Sequence, residues 1–262
     1  MFAGQITAVG HAVTRFAVGD DVFGSCDNGA QAEFVPVGED GPLAKIPLGV
    51  EYDEAAAVPY GAATALAFLR DVAQVRPGEE VLIVGASGGV GRFAVQIARH
   101  LGAHVTGVGS DRHAAMMTEL GADAVIDYKR EDYTNNGKSY DVIFDTSSGD
   151  GFRASKNSLK ESGRYVSVYL NLLVLWQMLI TKLFGGPKVA SSVVLGNQAL
   201  SEDVADLLAQ GVIRPVIAAH YPITQVAKAH AAQESGGMGG TVIVTVDDAA
   251  RSAPAAKALH VA

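Results

Sequence analysis

The spacing of apolar and polar positions changes near Val81. Before it, residues 1–50 form short apolar runs broken at Gly10, Gly19-Asp20, Gly24, Asn28-Gly29 and Gly38, a pattern of short strands joined by tight turns. From Val81 the runs lengthen. Val81-Leu82-Ile83-Val84 is continuously apolar, as in a strand covered on both faces. A helix is predicted over 89–100, a strand over 105–108, and a helix over 111–120 that stops at Gly121. Strands follow over 124–127, 142–145 and 165–168, with a helical pattern over 152–159 between the last two. A strand over 189–194 and a helix over 201–209 complete the series. Alternating strand and helix predicts an α/β fold with a parallel, doubly wound sheet.

Between the two regions, apolar residues at 62, 65, 66, 69, 72 and 73 have helical spacing, and Arg76-Pro77-Gly78 ends the run. Residues 165–181 carry no charge. That run is shorter than the roughly 20 apolar residues of a membrane span and reads as a core strand followed by an apolar interface helix. Residues 247–262 are Ala-rich without a period and are expected to form a loose tail.

Composition narrows the function. Over 262 residues, 48% are hydrophobic and 18% charged, enough apolar material for one large domain or two modest ones. The formal charge of −8 gives no reason to expect nucleic acid as the main partner. The single cysteine, Cys26, excludes an internal disulfide and a four-cysteine zinc site, and fits a reducing, cytoplasmic compartment. Residues 1–6 lack a basic region followed by an apolar run, so no signal peptide is expected.

The candidate chemistry lies in Gly85-Ala86-Ser87-Gly88-Gly89-Val90-Gly91, after a predicted strand and at the opening of a predicted helix. Ala86, Gly88 and Gly91 occupy the three small positions of a dinucleotide-binding G-x-G-x-x-G pattern. The first permits the tight turn, the second lets backbone approach a pyrophosphate, and the third lets the helix pack close to the sheet. Free amides at the helix start then bind phosphate. The same residues satisfy G-x-S-x-G, the nucleophile elbow of serine hydrolases, with Ser87 as nucleophile and Asp145 and His230 as possible partners. No HGGG-type oxyanion segment precedes it, and Gly91 is superfluous in that reading. A plain tight turn without ligand is the third possibility.

An acidic residue at the end of the second strand marks NAD binding. Here that strand ends at Val108, and Gly109, Ser110, Asp111 and Arg112 follow. Ser110 and Arg112 suit a 2′-phosphate, so NADPH is favoured over NADH. Asp111 is read as solvent-facing or as a helix N-cap.

Blocks in one order along nearly the whole chain carry a resemblance: residues 3–10, 15–24 and 32–37, DEAAAVPYGAATAL at 53–66, VRPGEEVLIVGASGGVGRFAVQIAR at 75–99, LGADAVIDY at 120–128, YDVIFDTSSG at 140–149, SGRYVSV at 162–168, and the closing GGTVIVTV. The chain resembles the medium-chain dehydrogenase/reductase superfamily, in its zinc-independent, zeta-crystallin-like quinone oxidoreductase branch. The resemblance implies a partial GroES-like β domain over 1–60 plus about 216–246 and a Rossmann domain over 61–215, with the site between them. It places Ser87, Gly88, Gly89, Val90 and Gly91 at the pyrophosphate, Ser110 and Arg112 at the 2′-phosphate with Tyr128 beside them, Thr64 near the nicotinamide, and the turn after Asp145 at its carboxamide. It also implies that family members begin several dozen residues before Met1, in a part that supplies the first β strands and much of the substrate pocket. Where zinc-binding members place a ligand this chain has Tyr60, so no zinc is expected. Where members often have Arg-Gly-Lys, it has Met238-Gly239-Gly240-Thr241.

The expected activity is hydride transfer from NADPH to a quinone or an α,β-unsaturated carbonyl. Tyr60 is read as a packed side chain or as a candidate proton donor. A homodimer through edge strands of the Rossmann sheet, near 170–184, is implied by the resemblance. A nucleotide-binding sensor without turnover, a truncated fragment, and a serine hydrolase are the alternatives.

Overall fold

The computed structural model describes residues 1–147 and 151–246, so the expected tail at 247–262 and part of the block at 140–149 lie outside the described residues. The first region contains strands β1 (Phe2–Gln5), β2 (Asp21–Gly24) and β3 (Leu43–Lys45), which form one antiparallel sheet in that order. Phe16, Val22 and Leu43 make its small core. The region holds less strand than its pattern suggests. Residues 32–37 form none, and Phe34 is exposed, because the sheet offers that run no pairing partner.

Helices α1 (Tyr52–Ala57) and α2 (Pro59–Leu66) follow. The predicted helix over 62–75 therefore starts earlier, at a proline whose fixed φ suits a first helical turn. It also changes character, since Ala67–Val72 is a π-helix in which the Ala73 amide donates to the Phe68 carbonyl, five residues back, at 2.7 Å. The Phe68 ring stacks on Phe144 at 5.5 Å between centroids, which anchors this segment to the main sheet.

The main sheet is parallel. Its elements are β4 (Glu80–Val84), α3 (Gly91–His100), β5 (His104–Gly109), α4 (Ala114–Glu119), β6 (Ala124–Asp127), β7 (Tyr140–Asp145), α5 (Phe152–Ser155), β8 (Leu159–Ser167), α6 (Leu172–Leu183), β9 (Lys188–Ser191) and α7 (Gln198–Ala209). The strand order is β6-β5-β4-β7-β8-β9, so the winding reverses between β4 and β7. Leu82, Ile83, Phe144, Tyr165 and Val166 are fully buried, in keeping with strands covered on both faces. The predicted helix over 111–120 divides into a 3₁₀ turn, Asp111–His113, and α4, and Gly121 beyond it has a φ of +112°.

Strands β10 (Ile217–Pro222) and β11 (Thr241–Thr245) form a separate parallel pair, connected by helix α8 (Val226–Glu234). The segment between α8 and β11 reaches the turn after β5. A Cβ placed on Gly237 would meet the Arg112 guanidinium, and one on Gly239 would meet the His113 ring. Among the described residues, no helix is long and apolar enough to cross a membrane.

Candidate functional site

The glycine loop joins β4 to α3 at the carboxyl ends of the strands, beside the reversal in strand order, where α/β sheets bind ligands. Gly85 has a φ of +79°, and its amide and that of Ala86 donate to the Val108 carbonyl at 3.1 and 3.0 Å. The left-handed residue of the turn is thus Gly85, not Ala86. Ala86 is small for another reason: it is fully buried against Gly107. The Gly88 amide donates to the Gly85 carbonyl at 2.8 Å and closes the turn. Among the described residues, the amides of Ser87, Gly89 and Val90 have no backbone acceptor, and they stand at the start of α3. A Cβ on Gly91 would lie 2.1 Å from the Gly85 oxygen and 2.8 Å from the Ala86 Cα, both backbone atoms. On the other side, a Cβ on Gly61 of α2 would lie 2.5 Å from the Gly89 oxygen.

The loop opens into a cleft of about 500 Å³. Ser87, Gly88, Gly89, Ser110, Arg112 and Tyr128 all line it, so six residues singled out from the sequence meet at one place. Tyr128 arrives there because its amide donates to the Gly109 carbonyl at the tip of β5, at 3.3 Å. Val90 and Gly91 stand behind the loop at the start of α3. Thr64 is buried in α2, one turn beyond Gly61 and on the same face. Tyr60 is not the packed side chain that is one of its two expected roles. It is 65% exposed, and its amide donates to the sulfur of Met1, a cleft-lining residue, at 3.4 Å.

Asp145 is not among the residues that line the cleft; it is 2% exposed and paired in register with Val84. Its carboxylate accepts from the Tyr165 hydroxyl at 2.5 Å and from the Ser147 amide and hydroxyl at 2.8 and 2.7 Å. Burial, followed by the adjacent Asp145 charge, pushes the Tyr165 phenol far above its ordinary range, so it donates at neutral pH. The Thr146 hydroxyl donates to the Val84 carbonyl at 2.8 Å and joins this turn to the glycine loop. Asp145 therefore shapes the turn rather than lining the cleft.

Among the described residues no Asp or Glu lines the cleft, whereas Arg92, Arg112 and His113 do. Arg112 is exposed and has no ion pair among the described residues. The neighbouring Asp111 faces solvent and pairs with Arg130 at 3.4 Å. Its N-cap role is not realised, because Ser110 occupies that position. Burial holds the His113 imidazole below its ordinary pKa, as does the Arg112 charge. A hydrogen bond to the Gly237 carbonyl opposes them, and Arg92 adds a smaller lowering. Arg92 was not apparent from motif spacing. The available signal was a cation in the first turn of a helix, where the macrodipole disfavours it. The free amides, the glycines that admit close approach and the unmatched positive charge fit an anionic dinucleotide.

The rival arrangements fare differently. Among the described residues, no imidazole bonds to Ser87, and His230 bonds instead to Gln31 at 3.0 Å. A hydrolase triad of Ser87, Asp145 and His230 is not assembled. Among the described residues, no three His, Cys, Asp or Glu side chains converge to hold a metal ion. A smaller cavity of about 230 Å³ lies beside β3 and α7, where Arg15 pairs with Glu202 at 2.6 Å and Lys45 with Asp20 at 2.8 Å.

Comparison with known proteins places this geometry. A family model described as zinc-binding dehydrogenase matches residues 120–244. The chain is 31% identical over 255 residues to the chloroplast envelope quinone oxidoreductase homolog of Arabidopsis thaliana, spanning 92% of this chain and 77% of that protein. It is 30% identical over 276 residues to the mitochondrial NAD(P)H oxidoreductase RTN4IP1 of Homo sapiens, spanning 93% and 69%. The crystal structure of a quinone oxidoreductase from Pseudomonas syringae superposes with a TM-score of 0.77 at 31% identity, covering 92% of this chain and 79% of that one. The chain belongs to the quinone oxidoreductases of the medium-chain dehydrogenase/reductase superfamily, a family of oxidoreductases.

Proposed function

We propose that the protein is an NADPH-dependent reductase that delivers hydride to a quinone or an α,β-unsaturated carbonyl without zinc. One observation carries this reading: the loop amides without a backbone acceptor, Ser110, Arg112 and Tyr128 share one cleft that, among the described residues, no carboxylate lines. In this reading the main chain of Ser87, Gly88, Gly89 and Val90 grips the pyrophosphate, while Gly91 keeps α3 against the loop. Ser110 and Arg112 take the 2′-phosphate with Tyr128 beside them, which NADH lacks. Thr64 and the turn held by Asp145 face the nicotinamide end.

When bound, the reduced nicotinamide supplies the hydride, and the protein orients it and limits water. Tyr60 is the candidate proton donor, since it carries a phenolic hydroxyl on an exposed side chain. It also stands where zinc-binding relatives place a metal ligand, which supports the zinc-free reading. We assign residues 1–60 plus about 216–246 to a substrate domain, 61–215 to the nucleotide domain, and a reducing, cytoplasmic compartment to the protein. A homodimer fits the unpaired edge of β9 and the exposed Leu172, Leu175, Trp176 and Leu179 of α6.

Mixing the protein with NADPH and a panel of quinones and enones, and following nicotinamide absorbance, tests the proposal. Oxidation that is faster with NADPH than with NADH and insensitive to chelators is expected. Binding without oxidation across the panel would leave a nucleotide-binding protein and overturn the reductase.

A further inference from the structure

Arg92 is the second residue of α3, and it is 4% exposed. Among the described residues its guanidinium makes no ion pair. One terminal nitrogen donates to the Thr241 hydroxyl at 3.2 Å, and Nε is buried without a partner. Such a group stays charged, because arginine does not lose its proton in proteins. Burying a charge without a counter-charge is costly, and the positive end of α3 makes this position worse. The first turn of α3 holds no acidic residue to relieve it. The environment matches that cost, since burial lowers the Arg92 pKa.

The same side chain lines the cleft with Gly88 and Gly89, where among the described residues the amides of Ser87, Gly89 and Val90 have no backbone acceptor. Three features thus point at one spot: a helix start, free amides and a buried cation with an orphaned donor. Arg112 follows β5 and Arg92 opens α3, and the charges of both reach the His113 imidazole that lines the cleft with them.

We propose that Arg92 is the diphosphate anchor of this cleft, pairing with the bridge that the Ser87, Gly89 and Val90 amides hold. The proposal rests on the dinucleotide reading of the cleft. It adds that a side chain, and not main chain alone, neutralises the bridge. Arginine's planar fork suits two phosphate oxygens at once, and Thr241 aims it from β11. The coenzyme then ties the separate β10–β11 pair to the main sheet through one side chain.

Three probes separate the contributions: NADPH, ADP-ribose, which keeps the diphosphate without the 2′-phosphate, and adenosine 2′-monophosphate, which has no diphosphate. Arg92→Met is expected to weaken NADPH and ADP-ribose at least tenfold and to leave adenosine 2′-monophosphate within twofold. Its Tm without ligand should equal or exceed that of the native chain, because an unpaired buried charge is gone. Retained affinity for ADP-ribose together with a lowered Tm would show a purely structural arginine and overturn the proposal. If Arg92→Met does not fold, Arg92→Lys keeps the charge and loses the fork. ADP-ribose should then weaken severalfold, and unchanged affinity would equally overturn the role of Arg92. If the native chain binds neither NADPH nor ADP-ribose, the reading of the cleft itself falls, and this inference with it. If the native chain binds both and Arg92→Met binds them equally well, only the anchor is lost.

Discussion

Replacing Gly91 by alanine is expected to abolish measurable coenzyme binding and to destabilise the fold by about 1–3 kcal/mol. The added Cβ would lie 2.1 Å from the Gly85 oxygen and 2.8 Å from the Ala86 Cα. Both atoms belong to the backbone, so no rotamer change relieves the overlap. Gly85 is in turn fixed by the hydrogen bond its amide donates to the Val108 carbonyl and by the one its carbonyl accepts from the Gly88 amide. Relief therefore requires α3 to move away from β4, which carries the loop amides out of register. Gly89→Ala is the matching control. A Cβ there meets nothing within 4 Å, so denaturant stability should stay near native while binding weakens. Equal stability of Gly91→Ala and the native chain in urea unfolding would contradict the close packing of α3.

Arg112→Met is expected to reduce NADPH affinity by roughly 10–100-fold and to leave NADH within twofold. The lower end corresponds to about 1.4 kcal/mol and the upper to about 2.7 kcal/mol, the range of a hydrogen bond to a charged group. The exposure of Arg112 favours the lower end, because solvent screens its charge. Ser110 and Tyr128 border the same part of the cleft, and Asp111, the one nearby carboxylate in the turn, is directed to Arg130. Dissociation constants for both coenzymes, measured at one salt concentration, check it. Equal losses for NADPH and NADH would mean that Arg112 contacts a feature common to both.

Much of this architecture is legible in the chain because local pattern and tertiary role agree there. Continuous apolar runs such as Val81–Val84 must be covered on both faces, and they become central parallel strands. The glycine loop is legible for the same reason: strand, small residues and helix occur in the only order that lets backbone approach a phosphate. Readings fail where long-range contact decides. The π-helix at Ala67–Val72 has no local signal, and Phe68 reaches Phe144, far along the chain. Helical spacing alone extended α3 back to Gly89, but the structure starts it at Gly91 and leaves the preceding amides without backbone partners. Arg92 and the Gly236–Thr241 segment enter the cleft through the approach of β11, which periodicity cannot convey.

The central claim is that the main-chain amides of Ser87, Gly89 and Val90 hold the diphosphate of a nicotinamide coenzyme. Isothermal titration of the native chain with NADPH, and with NADH in parallel, tests it most directly. A saturable one-site heat for both, tighter for NADPH, is the expected result. No heat with either coenzyme on folded protein would contradict the account.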